Sequence, residues 1–115
     1  MFRVLTALVL SATSLQAQGL TLPLTSEGEV EEIKVSYACG DQVIPVTYLN
    51  AGEIRLALMP IEGNDRVFVN VVSGSGARYV SGAYVWWSKG DTATFEDEMT
   101  EGSLTECTAK EGLTP

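Results

Sequence analysis

Residues 33–48 read Ile-Lys-Val-Ser-Tyr-Ala-Cys-Gly-Asp-Gln-Val-Ile-Pro-Val-Thr-Tyr, and their pattern decides the fold. Ile33, Val35 and Tyr37 alternate with Lys34 and Ser36; Ile44, Val46 and Tyr48 alternate with Pro45 and Thr47. A period of two is the mark of a strand with one buried face. Cys39-Gly40-Asp41 interrupts the two runs with a turn signal, so the stretch reads as a β-hairpin. Pro45 lacks a backbone N–H and therefore belongs on an edge or at a bulge.

The same grammar continues downstream. Ile54, Leu56 and Leu58 alternate with Arg55 and Ala57, and Val67, Val69 and Val71 with Phe68 and Asn70. The first-named member of each pair of sets is read as facing inward. Glycine-bearing turns fall near Gly52, Gly63, Gly74-Ser75-Gly76, Gly82, Gly90 and Gly102. The spacing predicts eight strands, near 33–39, 42–49, 53–59, 66–72, 77–80, 83–88, 92–97 and 103–108. The fold expected is all-β: one small antiparallel meander, closed as a barrel or packed as a sandwich. A barrel of eight strands is either filled by its own side chains or holds one small ligand. The bulky aliphatics and tyrosines of the inward sets favour filling, which moves function to the rim loops.

Upstream of the hairpin, Arg3, the apolar run from Val4 to Leu10 and the small Ala17 read as an export signal cleaved after Ala17. The expected organisation is a signal peptide over 1–17, a mobile leader over 18–32 and a barrel domain over 33–110. No cysteine lies near Ala17, so a soluble periplasmic protein without a membrane anchor is expected. Cleavage leaves 98 residues with six basic against 15 acidic side chains, a net charge of −9. That charge disfavours nucleic acid and anionic lipid as partners. It suits a basic partner, or serves solubility alone. Cys39 and Cys107, 68 residues apart, are the only cysteines. In an exported small domain an even cysteine count reads as a disulfide.

Catalytic inventories are thin. The chain has no histidine, which excludes Ser/His/Asp and Cys/His arrangements, and two thiols alone do not make a zinc site. No metal or cofactor is expected, and the protein is read as a non-enzyme. Glu96, Asp97, Glu98 and Glu101 cluster, but paired carboxylates need a cleft that a filled barrel lacks. The unusual stretch is Ser73 to Asp91, SGSGARYVSGAYVWWSKGD. A strand up from Ala77, a turn near Ser81-Gly82 and a strand back through Trp86 return Lys89 to the level of Ser75. Adjacent Trp86 and Trp87 must point to opposite faces, and the pattern leaves open which faces the core.

Ser75-Gly76-Ala77-Arg78-Tyr79, followed by Tyr84-x-Trp86-Trp87-x-Lys89-Gly90, resembles the signature of the MliC/PliC inhibitors of c-type lysozyme. Tyr37-x-Cys39, Val46-Thr47-Tyr48-x-Asn50 and Cys107 extend the likeness over most of residues 35–108. The resemblance implies a barrel whose two motif loops enter the lysozyme cleft, with c-type lysozyme as protein partner. It implies that Ser75 and Lys89 reach the catalytic carboxylates, that Gly76 and Gly90 shape the loops, and that Arg78 and Tyr79 hold them. The chain departs from the family at Gly74, where a residue with a side chain is expected; the extra loop freedom raises the cost of ordering. A barrel carrying a small ligand is the alternative reading, and it requires an interior cavity.

Overall fold

A computed structural model describes residues 29–110. They form eight antiparallel strands: β1 (Glu31–Cys39), β2 (Gln42–Ala51), β3 (Ile54–Ile61), β4 (Asn64–Val71), β5 (Ala77–Ser81), β6 (Tyr84–Lys89), β7 (Thr92–Asp97) and β8 (Thr105–Ala109). Each pairs with its sequence neighbour, and β1 closes on β8 to complete a barrel. The signal and most of the leader fall outside the described residues. β1 begins at Glu31, two residues inside the stretch read as leader, because Glu31 and Glu32 pair with Asn50 and Leu49 of a longer β2. At the other end β8 starts only at Thr105. Ser103 is instead drawn into the β7–β8 loop, where its hydroxyl donates to the Asp97 carbonyl at 2.8 Å.

Five of the seven connections are two-residue hairpin turns, closed by Cys39↔Gln42, Ala51↔Ile54, Ile61↔Asn64, Ser81↔Tyr84 and Lys89↔Thr92. Four of these carry glycine first, with φ between 58° and 61°, as type II′ turns require. The turn chemistry thus matches the right-handed twist of the strands it joins. Only the β4–β5 and β7–β8 connections are longer. Pro45 sits opposite Ser36 on β1, beyond the point where the β2–β3 ladder starts at Thr47. Its missing N–H therefore faces no partner strand, the edge-like position its chemistry demands.

The interior is filled. Trp86, Phe68, Met59, Val46 and Cys107 are fully buried, with Tyr37, Tyr48 and Tyr79 packed among them. The Trp86 indole N–H donates to the Tyr48 hydroxyl at 2.9 Å, and the Tyr48 and Tyr37 hydroxyls share a hydrogen bond of 2.7 Å. The Tyr37 ring meets Trp86 edge-on, with centroids 4.9 Å apart. Burial pushes the Tyr37 phenol far above its ordinary pKa, with the Tyr48 hydrogen bond adding to the effect, and burial likewise raises Tyr79. This aromatic centre fills the middle of the barrel with the protein's own side chains, as the bulky inward sets implied.

The facing of β3 and β4 is the reverse of the expectation. Ala57, Met59 and Phe68 join the core, while Leu56 and Leu58 lie on the outer face beside Leu49, Val67 and Val69, Leu56 still buried there. Register forces this: Tyr48 points inward, Ala57 lies opposite Tyr48, and Phe68 lies opposite Ala57. The crowded rings of Tyr48 and Phe68 need a small residue between them, and Ala57 supplies it. The Cys39–Cys107 disulfide is formed and joins directly paired residues of β1 and β8. That seam has only three ladder pairs, so the covalent bond sits where the barrel has little else to hold it.

Candidate functional site

In an up-and-down barrel alternate connections share a mouth. The β2–β3, β4–β5 and β6–β7 connections therefore lie at one end, and Ser75 and Lys89-Gly90 with them. Ser75, Gly76, Lys89 and Gly90 are all exposed there. The hairpin arithmetic of the sequence is met: Ala77 pairs with Ser88, so the residues just outside that pair, Gly76 and Lys89, are neighbours across the mouth.

The two loops are tied together by Trp87. Strand β6 extends to Lys89, so Trp87 and Lys89 share the outer face, and Trp86 points into the core opposite Tyr79. The Trp87 indole N–H donates to the Ser75 carbonyl at 2.8 Å. The Lys89 ammonium lies over the same ring, 4.3 Å from its centroid, and the Arg78 guanidinium lies 5.9 Å from it. A cation over an indole face is attracted by the ring quadrupole. Arg78 is also paired with Glu98 at 3.1 Å.

Gly76 makes this approach possible. Its φ is +64°, and a Cβ there would meet the Ser88 carbonyl oxygen and lie 2.6 Å from Lys89 Cγ and 3.3 Å from Trp87 Nε1. Any side chain would push the Ser75 loop off Trp87. Within the loop, the Ser73 hydroxyl donates to the Gly76 carbonyl at 3.1 Å. Gly74 differs: a Cβ there would meet nothing within 4 Å. On the other loop, Gly90 opens the turn at φ +59°, and the Thr92 hydroxyl donates to the Lys89 carbonyl at 3.0 Å.

The six partner-binding residues named from sequence separate into three groups. Ser75, Lys89, Gly76 and Gly90 converge on the mouth. Arg78 lies half-buried beside Trp87 on the outer face. Tyr79 is only 4 % exposed, in the core beside Tyr48, so it lies beneath the loops and not at their surface. Strand parity is the reason, since Tyr79 lies between outward Arg78 and Val80 and faces Trp86. Trp87 is the residue that sequence reasoning left unplaced. The signal was present in Lys89: two residues apart on one strand, the two must share a face.

The acidic cluster has structural work. The Asp97 carboxylate accepts the Met99 N–H and the Thr100 hydroxyl, and Glu98 pairs with Arg78. The opposite mouth opens on a concavity of about 770 Å³ lined by Ile44, Ile61, Tyr84, Phe95 and Asp97 among others. Tyr84 and Phe95 stack there, and the Arg66 guanidinium lies 4.8 Å from the Tyr84 ring centroid.

The barrel thus presents an exposed serine and a tethered cation on two braced loops at one mouth. The family model described as membrane-bound lysozyme-inhibitor of c-type lysozyme matches residues 37–103, and the chain belongs to that family. The membrane-bound lysozyme inhibitor of C-type lysozyme from Pseudomonas aeruginosa is 38 % identical over 87 residues, covering 74 % of this chain and 68 % of the relative. Its namesake from Cupriavidus necator is 38 % identical over 81 residues, covering 66 % and 65 %. Among solved structures, Pseudomonas aeruginosa MliC in complex with hen egg white lysozyme is similar, with a TM-score of 0.72 and 35 % identity. That likeness covers 83 % of this chain and 99 % of the other.

Proposed function

We propose that this protein inhibits c-type lysozyme by inserting its Ser75 and Lys89 loops into the enzyme's active-site cleft. The observation that carries the loop assignment is Trp87, which braces both loops at one mouth with Ser75 and Lys89 exposed. The partner class rests on family membership and on the similar chain whose crystal structure is a lysozyme complex.

The chemistry fits the target. A lysozyme cleft carries one carboxyl held protonated in an apolar pocket and one ionised. The Ser75 hydroxyl hydrogen-bonds a protonated acid without a charge mismatch. The Lys89 ammonium forms a charge-assisted bond with the ionised carboxylate once water is displaced. The protein itself performs no bond-making; it acts by occupancy. Its acidic surface speeds encounter with a basic enzyme.

The proposed setting is the periplasm, reached by export and cleavage after Ala17, with residues 18–30 as leader. The two relatives are named membrane-bound. Here both cysteines are consumed by the disulfide, which supports a released form. Fractionation into periplasmic and membrane pools decides between them.

The experiment for the site titrates c-type lysozyme in a cell-wall lysis assay with oxidised protein and with Ser75→Ala and Lys89→Ala. Each variant is expected to weaken binding by about 1–3 kcal/mol while its melting curve stays that of the parent. Unchanged affinity in both would remove the site assignment. No inhibition by the parent at micromolar concentration would remove the function.

A further inference from the structure

Trp87 has an unusual set of contacts for an outer-face residue. Its N–H holds one loop by the Ser75 main-chain carbonyl, and its ring face holds the other through the Lys89 ammonium. Nothing in the barrel core requires this, because the interior is filled by Trp86, Phe68, Met59 and their neighbours without Trp87. The two attachments use different parts of one rigid bicyclic side chain, so the spacing of Ser75 and Lys89 is set by the dimensions of the indole. Gly76 preserves the arrangement by leaving no atom between the Ser75 loop and the ring.

We propose that Trp87 is the positioning residue of the inhibitor, holding the Ser75 hydroxyl and the Lys89 ammonium at their binding separation before lysozyme arrives. This deepens the proposed function and rests on it. Lysine has four side-chain torsions, and an unheld ammonium would have to be ordered on binding at an entropic cost. Parking it over the indole moves that cost into folding. The contact is also weak enough to yield: an exposed cation–π contact is weaker than a charge-assisted bond to a carboxylate in a dried cleft. Trp87 therefore orients Lys89 without competing with the target. Arg78, at the edge of the same ring and tied to Glu98, limits the directions in which the indole can swing.

The test is a double-mutant cycle on lysozyme binding with the oxidised full chain. Trp87→Leu removes both attachments and Trp87→Phe removes only the N–H. Trp87→Leu is expected to weaken binding roughly tenfold, and Trp87→Phe about threefold. Because only the ring contact acts through Lys89, the Trp87→Leu/Lys89→Ala double variant should bind about threefold more weakly than Lys89→Ala alone, the share of the Ser75 attachment, and not the full tenfold. A purely structural role would give additive losses instead, and that result would overturn the proposal. A second readout does not depend on binding. In the free protein the Lys89 ε-methylene proton resonances should be shifted upfield by the indole ring current, keep part of that shift in Trp87→Phe and lose it in Trp87→Leu. Unshifted Lys89 resonances in the parent would also overturn it. Should Trp87→Leu fail to fold, a Trp87→Phe/Ser75→Ala cycle, in which the two losses should not add, and the parent spectrum still decide. If Lys89→Ala itself leaves binding intact, the proposed site fails rather than the role of Trp87 alone.

Discussion

The two longer connections of the barrel are held in opposite ways. The β7–β8 loop, residues 98–104, is tied outward at Glu98, to the Ala83 carbonyl and Arg78, and beyond that is closed by its own neighbourhood. The Asp97 carboxylate accepts the Met99 N–H and the Thr100 hydroxyl, the Asp97 carbonyl accepts the Thr100 N–H and the Ser103 hydroxyl, and Ser103 accepts the Asp97 N–H. All those partners lie within six residues. The β4–β5 loop, residues 72–76, has one internal bond, from Ser73 to Gly76, and takes its position from Trp87 on another strand. A self-closed loop keeps its shape whatever surrounds it. A loop braced from outside has its shape coupled to a second loop, which is what a two-point contact with a partner needs.

Substitutions can break or sharpen this contrast. The largest effect is expected from Gly76→Ala, which adds a Cβ against the Ser88 carbonyl oxygen and Lys89 Cγ at a positive φ. Lysozyme binding should fall by about 3 kcal/mol, read by titration. Amide exchange in residues 98–104 should be unchanged, which shows that only the braced loop was released.

A smaller effect, on the barrel beneath both loops, comes from pH. Tyr37 and Tyr79 are held neutral in the fold by burial, whereas in the unfolded chain they ionise near their ordinary value of 10.0. Above that pH the unfolded chain binds fewer protons than the fold, so stability falls. Their contribution is present below pH 10 and is lost above it, for Tyr37 at up to about 1.4 kcal/mol per pH unit. Denaturant unfolding at pH 7, 9 and 11 checks this: the first two midpoints should agree and the third should fall.

Asp97→Ala acts on the self-closed loop. It should cost about 1 kcal/mol of stability and leave lysozyme affinity at the parental value, the converse of Gly76→Ala. The least effect is expected from Gly74→Ala. Its Cβ meets open space, so the substitution removes chain entropy from the braced loop without a clash. Binding should tighten by about 0.5 kcal/mol, opposite in sign to the same change two residues on.

Strand number and turn positions were legible because two-residue turns impose their own residues, and glycines punctuate the chain accordingly. The facing of β1 and β2 was legible because Lys34, Ser36 and Thr47 mark the outer side. β3 and β4 misled: Leu56, Ala57, Leu58 and Met59 are apolar on both faces, while Arg55 and Asn70 share the inward parity of Ala57 and Phe68 and so marked the wrong side as polar. Only the register from Tyr48 to Ala57 resolves it. At the site, the convergence of Ser75 and Lys89 followed from hairpin length. The brace did not, because a main-chain carbonyl accepting from an indole twelve residues away leaves no trace in residue type.

The short β1–β8 seam has a consequence for how the chain reaches its native state. Every other ladder joins strands adjacent in sequence, and five of those are linked by two residues; this one brings together segments 68 residues apart. Hairpins form quickly because little chain must be looped, whereas the distant seam carries nearly the whole topological cost of the fold. Circularisation is therefore the natural last step, and oxidation of Cys39 and Cys107 fastens it after the remaining ladders have assembled. The strands around them hold Cys39 and Cys107 directly opposite each other, so the ladders themselves bring the two thiols face to face.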